Sequence, residues 1–252
     1  MRASVARRAA AAATRCRRRV CVVAFAATML AGGPAAAGPT GLTVIPTTDL
    51  VRFRQLNAIL QNGNTQIDGR HAFFHDVQPV PQLEAGLPHD LEAGLDVAPA
   101  DPPRDYRPFF NVKWTMLAES YRVPAVAVGA TQLGPGVTPA GFAVASKTLN
   151  FDAIAYQKFR AHHRNLRLRG IRVHAGFLEA GDRAHAILGL DAELSDHFVL
   201  WSDWVSGAKN SLSLAGVVVI DAQNSLFVAL LRANDERRVG GVLFNFTHTF
   251  NL

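Results

Sequence analysis

Eight charged residues stand at alternate positions in otherwise apolar stretches. They are Glu92, Asp96, Lys113, Arg167, Arg169, Asp191, Glu193 and Asp203. Side chains two apart on an extended strand share a face. On a solvated sheet such a row is ordinary surface charge. Inside a barrel the same row lines the lumen, where mixed charges pair across the interior or tune ion passage. Arg167 and Arg169 on one strand could cancel Asp191 and Glu193 on the next. That network would leave a plugged or narrow barrel with little pore.

Other chemistry finds less support. Ser146, Ser202, Ser206, Ser211 and Ser213 are available nucleophiles, but none lies in a nucleophile-elbow sequence. His71 and His75 lie four apart and His162 and His163 are adjacent, without the further ligands that a metal site requires. They read as turn or rim histidines. No Gly-rich loop follows a strand and opens a helix, so no phosphate cradle is expected. The expectation is a protein that is not an enzyme and that has no cofactor and no metal.

The elements that must position these charges are strands. In Val239–Leu252, Phe244, Phe246, His248, Phe250 and Leu252 alternate with Asn245, Thr247, Thr249 and Asn251. Phe110, Val112, Trp114 and Met116 alternate with Asn111, Lys113 and Thr115. The rows holding Phe110, Val112, Trp114, Met116, Phe244, Phe246 and Phe250 are the candidate lipid-facing surface. About twelve strand candidates follow residue 51, with Arg52–Gln61 the first. Asp152–His163 is the only candidate helix. In Asn165–Arg172 the alternation slips at Gly170, which points to a bulge or a close backbone approach there. Near Val217–Val219 and in Leu226–Leu231 both faces are apolar, which suits a polar lumen less well. Trp114, Trp201, Trp204, Tyr106 and Tyr121 fall near strand ends or loops, where an interfacial girdle would put them. Short turns such as Pro88–Asp90 alternate with longer links such as Gly134–Ala140, as in an up-and-down barrel.

The first 37 residues carry seven Arg and no acid, then a short apolar run over Val20–Leu30 and the small residues Ala35, Ala36 and Ala37. That is the three-part pattern of a cleaved secretory signal peptide. The whole chain has 26 Lys plus Arg against 20 Asp plus Glu. Removing seven Arg leaves 19 against 20, so the basic pI belongs to the leader and gives no support for nucleic-acid binding. Cys16 and Cys21 lie in the leader too, so the remainder has no thiol chemistry. The expected organisation is residues 1–37 as signal peptide, 38–51 as an extended N-terminal segment and 52–252 as the barrel.

Five stretches carry a family resemblance: GLTVIPTTDLV, LEAGLPHDLEAGLDV, FNVKWTMLAESYRVPAVAVGATQLG, LSDHFVLWSDWVSG and the closing FNFTHTF. Together they resemble small bacterial outer-membrane β-barrel proteins, nearest the YjbH-like, porin-like barrels found beside exopolysaccharide genes. The resemblance covers roughly Gly41–Leu252. It implies an all-β fold, an antiparallel up-and-down transmembrane β-barrel of about 12 strands in the bacterial outer membrane. It implies outer-membrane lipid as partner, with small polar solutes or polysaccharide as cargo, and no catalytic residues. Transport of small solutes or support of surface-polymer export across the cell envelope is the expected function. A non-conducting structural barrel and a soluble periplasmic ligand-binding protein are the alternatives. Leu252 stands where such barrels usually end in Phe, and no oligomeric state follows from the sequence.

Overall fold

The computed structural model describes residues 41–62, 65–66, 79–99, 106–135, 138–149, 170–180, 183–208, 210–235 and 240–252. They form thirteen strands: β1 (Gln55–Asn62), β2 (Thr65–Gln66), β3 (Pro79–Leu87), β4 (Leu91–Pro99), β5 (Tyr106–Leu117), β6 (Ala125–Leu133), β7 (Ala140–Leu149), β8 (Ile171–Ala180), β9 (Arg183–Ser195), β10 (Phe198–Val205), β11 (Ser211–Val219), β12 (Asn224–Ala233) and β13 (Gly241–Asn251). The two residues of β2 only prolong the β1 side along β13. Twelve strands therefore build the wall. From β3 onward each pairs antiparallel with the next, and β1 pairs with both β3 and β13. The sheet closes on itself, which removes the open edges that a flat sheet would leave unpaired.

Period-two alternation decides which side chains enter the barrel. Along β5, Phe109, Asn111 and Lys113 are buried while Phe110, Trp114 and Met116 are exposed. Turn chemistry fixes the hairpins. His89 and Asp90 both take positive φ, 64° and 58°, between β3 and β4, and short polar side chains such as Asp tolerate that region. Register slips by one residue in two places along β5–β6 and once where β9 meets β10.

The interior has two halves. On β3–β5 the inward row is polar, with Gln82, Glu84, Glu92, Asp96, Asn111 and Lys113 buried. On β11 and β12 it is largely apolar, and Ala215, Val217, Phe227, Ala229 and Leu231 pack as one cluster with Leu243 of β13 and with Val199 and Trp201. The doubly apolar strands at Val217–Val219 and Leu226–Leu231 thus belong to a barrel with a partly dry core. Trp201 departs from the expected girdle position, for it faces inward with its ring 5.5 Å from Phe227.

Three further expectations change. The first wall strand starts at Gln55, not Arg52, because Arg54 takes a left-handed φ of 65° that breaks the extended run ahead of it. Residues 41–51 are not simply extended, since Gly41 bridges Pro46 and the Leu42 amide donates to the Ile45 carbonyl at 3.0 Å, making a tight turn. Gly170 stands just ahead of β8 and makes no bulge in it, the β7–β8 register running unbroken from Ala140↔Ala180 to Leu149↔Ile171. Arg167, Arg169, His71, His75, His162, His163 and the candidate helix Asp152–His163 lie outside the described residues.

Candidate functional site: a chain segment held inside the barrel

The segment 41–53 approaches the wall at the barrel end where β1 begins and β13 finishes. Arg54 turns the corner with φ 65°, and its carbonyl accepts from the Leu252 amide at 2.8 Å. From that corner, followed backward in sequence, the chain runs into the lumen and reverses at the Gly41–Pro46 turn. Apolar burial seats the tip. Ile45 is buried among Ala127, Phe142, Val144, Ile187 and Val205, with Leu42 and Leu178 packed alongside. Two glycines make room for it. A Cβ on Gly189 would lie 2.6 Å from Ile45 Cδ1 and 2.7 Å from Leu42 Cδ1. One on Gly86 would lie 2.1 Å from the Arg52 carbonyl oxygen. At Gly86 the clash is with main chain, so that position must lack a side chain; at Gly189 the ends of Ile45 and Leu42 would have to shift.

Polar groups of the wall hold the segment's main chain. Asp203 takes the amides of Val44, Thr43 and Ile45, the first at 2.9 Å, and also accepts the Ser213 hydroxyl. Glu92 accepts the Val51 amide at 2.8 Å while its other oxygen lies 3.4 Å from Lys113 Nζ. The Thr115 hydroxyl donates to the Thr48 carbonyl at 3.0 Å. Arg172 spans the Asp49 carboxylate and the Thr48 hydroxyl, the latter at 2.8 Å. A charge taken from water costs several kcal/mol unless it is paired and hydrogen-bonded. Here the segment itself supplies part of that pairing.

Next to the clamp lies a chain of three inward side chains on neighbouring strands. Ser146 of β7 hydrogen-bonds His174 Nδ1 at 2.7 Å, and His174 Nε2 meets Asp191 Oδ2 at 2.8 Å. Ser146 and His174 are fully buried. At the barrel end, in the connection 118–124, Glu119 accepts the Thr148 amide at 2.8 Å and Lys147 at 3.2 Å, and lies 3.5 Å from Arg172. Burial works to raise its carboxyl pKa. The hydrogen bonds from Thr148 and Lys147 and the charge of Arg172 outweigh that and hold it below the ordinary carboxylate value.

Of the charges singled out in the sequence, Glu92, Asp96, Lys113, Asp191 and Asp203 lie on inward rows. Asp96 accepts the Asn111 side-chain amide at 2.7 Å. Glu193 shares the Asp191 row but is exposed where β9 ends. The pairing expected of Arg167 and Arg169 falls outside the described residues. Arg172, on the inward row of β8 with His174, pairs Asp49. Phe110, Trp114, Met116, Phe246 and Phe250 are exposed on the outer face, and Val112 and Phe244 share those rows while half-buried. Sequence reasoning missed His174, a lone His inside an apolar strand, and gave no sign that residues 41–53 would occupy the lumen. No protein-family model matches the chain, and no curated protein is similar to it at a significant level.

Proposed function

We propose that this chain is an integral β-barrel of a bacterial outer membrane, exported behind a cleaved leader and closed at rest by its own segment 41–53. The observation that carries this reading is the outer face. Apolar side chains stand exposed around the wall, among them Leu60, Phe110, Phe177, Leu188, Leu214 and Leu230. A monomer in water rarely exposes a continuous apolar surface beyond a few hundred Å², whereas lipid favours such a belt. Strand length agrees. The wall strands run from 8 residues in β1 to 13 in β9, around the ~9–11 residues that a tilted strand needs to cross a bilayer. A shallow apolar groove lined by Ala58, Leu60, Leu83, Leu95, Val97 and Phe246 adds to that surface.

The filled interior favours conditional passage over a standing pore. Small polar solutes, or a length of surface polysaccharide, would cross only after the segment leaves. Membrane fractionation with unboiled and boiled gel migration tests the first half of the reading. A membrane-bound, heat-modifiable protein supports it, and a single migrating species in the soluble periplasmic fraction overturns it. Planar-bilayer recording tests the second half. Wild type should be electrically silent for most of the record, and a steady open conductance would overturn the closed state.

A further inference from the structure

We infer that Ser146, His174 and Asp191 form a covered acyl-transfer site, with segment 41–53 as its removable cover, and that its substrate class is an ester with an apolar acyl part and an anionic group. The inference rests on the closed-barrel reading above, because the cover must be able to leave. Three observations carry it.

The first is connectivity. The hydroxyl reaches one ring nitrogen of the base at 2.7 Å and a carboxylate takes the other at 2.8 Å. Asp191 therefore fixes the tautomer with hydrogen on Nε2, leaving Nδ1 to accept from Ser146. That is the nucleophile–base–orienter order that activates a serine, and it is recognised by geometry and not by sequence position.

The second is the placing of the cover. Gly189 stands opposite His174 in the β8–β9 register, and on Gly189 rest Ile45 and Leu42. Removing the tip opens an apolar pocket lined by Ala127, Phe142, Val144 and Ile187 beside the serine. An acyl chain fits what Ile45 and Leu42 fill now.

The third is Arg172. It lies two residues from His174 on the same face of β8, about 7 Å along the strand, on the side away from the apolar pocket. The cover occupies its guanidinium with a carboxylate, Asp49, and a hydroxyl, Thr48. Since β7 is paired on both sides, its main chain offers no ready oxyanion donors. Arg172, freed of the cover while its Nε stays 3.5 Å from Glu119, supplies that charge and holds the anionic group through the two amino groups that Asp49 and Thr48 occupy now. Segment 41–53 thus presents a carboxylate on one side of the serine and two aliphatic side chains on the other, as the substrate would.

The step balances without a co-reactant beyond water. Ser146 Oγ attacks the ester carbonyl and its proton passes to His174 Nδ1. The bond from carbonyl carbon to alkoxy oxygen breaks, and the alcohol leaves with that proton. Water then attacks the acyl-serine by the same route, releasing the acid and restoring the hydroxyl.

The test uses the refolded mature chain in micelles and a fluorophosphonate probe. Two variants open the lumen: the double substitution Asp49→Ala with Asp203→Asn, and deletion of residues 41–50. Ile45→Cys added to the first reports exit of the tip by maleimide labelling, and heat-modifiable migration reports that both are folded. The expected result is slow probe labelling of wild type and rapid labelling of the opened forms, mapped to Ser146. Ser146→Ala should abolish it and His174→Gln should slow it about a hundredfold. In the opened double variant, Arg172→Gln should raise KM for 4-nitrophenyl hydrogen glutarate, which is anionic, but not for 4-nitrophenyl butyrate. An opened, folded variant that stays unlabelled overturns the site while leaving the closed-barrel reading intact. Labelling that ignores His174, or equal KM changes for both esters, overturns it too. If neither variant opens to maleimide or probe, the cover is permanent and the inference fails with it.

Discussion

The Val44 amide donates to the Asp203 carboxylate over 2.9 Å, although the two residues lie 159 positions apart. Asp203 also takes the neighbouring amides of Thr43 and Ile45, so one buried side chain secures the whole tip of the internal segment. Hydrogen bonds to a charged group contribute about 1.5–3 kcal/mol each. Asp203→Ala should therefore release the tip at a cost of several kcal/mol. Maleimide labelling of Ile45→Cys, with and without Asp203→Ala, measures the exit. Equal protection in both backgrounds would mean that apolar burial alone holds the tip.

Lys113 and Glu92 make a buried ion pair at 3.4 Å with neither side chain exposed to solvent. Removing one partner takes its nearest opposite charge from the other in a buried site, and that costs about 3–5 kcal/mol. Lys113→Met should lower the urea midpoint for unfolding from vesicles, and adding Glu92→Gln should recover much of the loss. A single substitution as mild as the pair of substitutions would show that the charges do not depend on each other.

Phe246 is exposed on the outer face of β13, with Leu226 and Leu60 as its cross-strand partners. An arginine facing mid-depth lipid costs ~2–4 kcal/mol. Phe246→Arg should cut folding yield into vesicles by that measure and leave solubility in urea unchanged. Unaltered folding into lipid would count against a bilayer around this strand.

Glu119 gives the attachment of the connection 118–124 to β7 a pH dependence. Its carboxyl titrates below the ordinary value because the bonds from Thr148 and Lys147 and the charge of Arg172 outweigh its burial. A lowered folded-state pKa means that the stabilisation is fully present above the unfolded value, near 4.5, and is lost as pH falls through the folded one. Opening of the connection 118–124 from β7, followed by hydrogen exchange at the Thr148 amide after correction for the intrinsic pH dependence, should therefore quicken as the pH drops below about 4.5. Glu119→Gln should be faster at neutral pH and lose that part of the dependence. An identical pH profile for both would show that Glu119 does not hold that connection.

Most of the wall was legible in the sequence because alternation is a local property. Each strand shows its own period, and the turn at Pro88, His89 and Asp90 is spelled in turn-forming residues. Closure was also readable, since the alternating stretch at Phe244–Leu252 needs a partner and Arg52–Gln61 is the first strand available. The interior was not. Whether GLTVIPTTDLV lies outside the wall or within it depends on contacts such as Ile45 with Gly189 and Val51 with Glu92. Those join residues 144 and 41 positions apart, and no window of neighbouring residues contains them. The Ser146–His174–Asp191 chain has the same character, for its spacings of 28 and 17 arise from register and match no linear motif. Gly86 and Gly189 carried a faint signal, as glycines on inward rows mark close backbone approach.

The seam between β1 and β13 has a consequence for assembly. It joins the first wall strand to the last, through pairs such as Gln55↔Asn251 and Leu60↔Phe246. The ring can shut only when both are in place, and segment 41–53 must by then be inside or be threaded through the mouth at Arg54. Loop-closure entropy of that size is met before the contacts reward it, which slows folding. The residues that lead the barrel in sequence are thus enclosed by those that end it, and closure of this one seam decides whether the lumen is sealed full or empty.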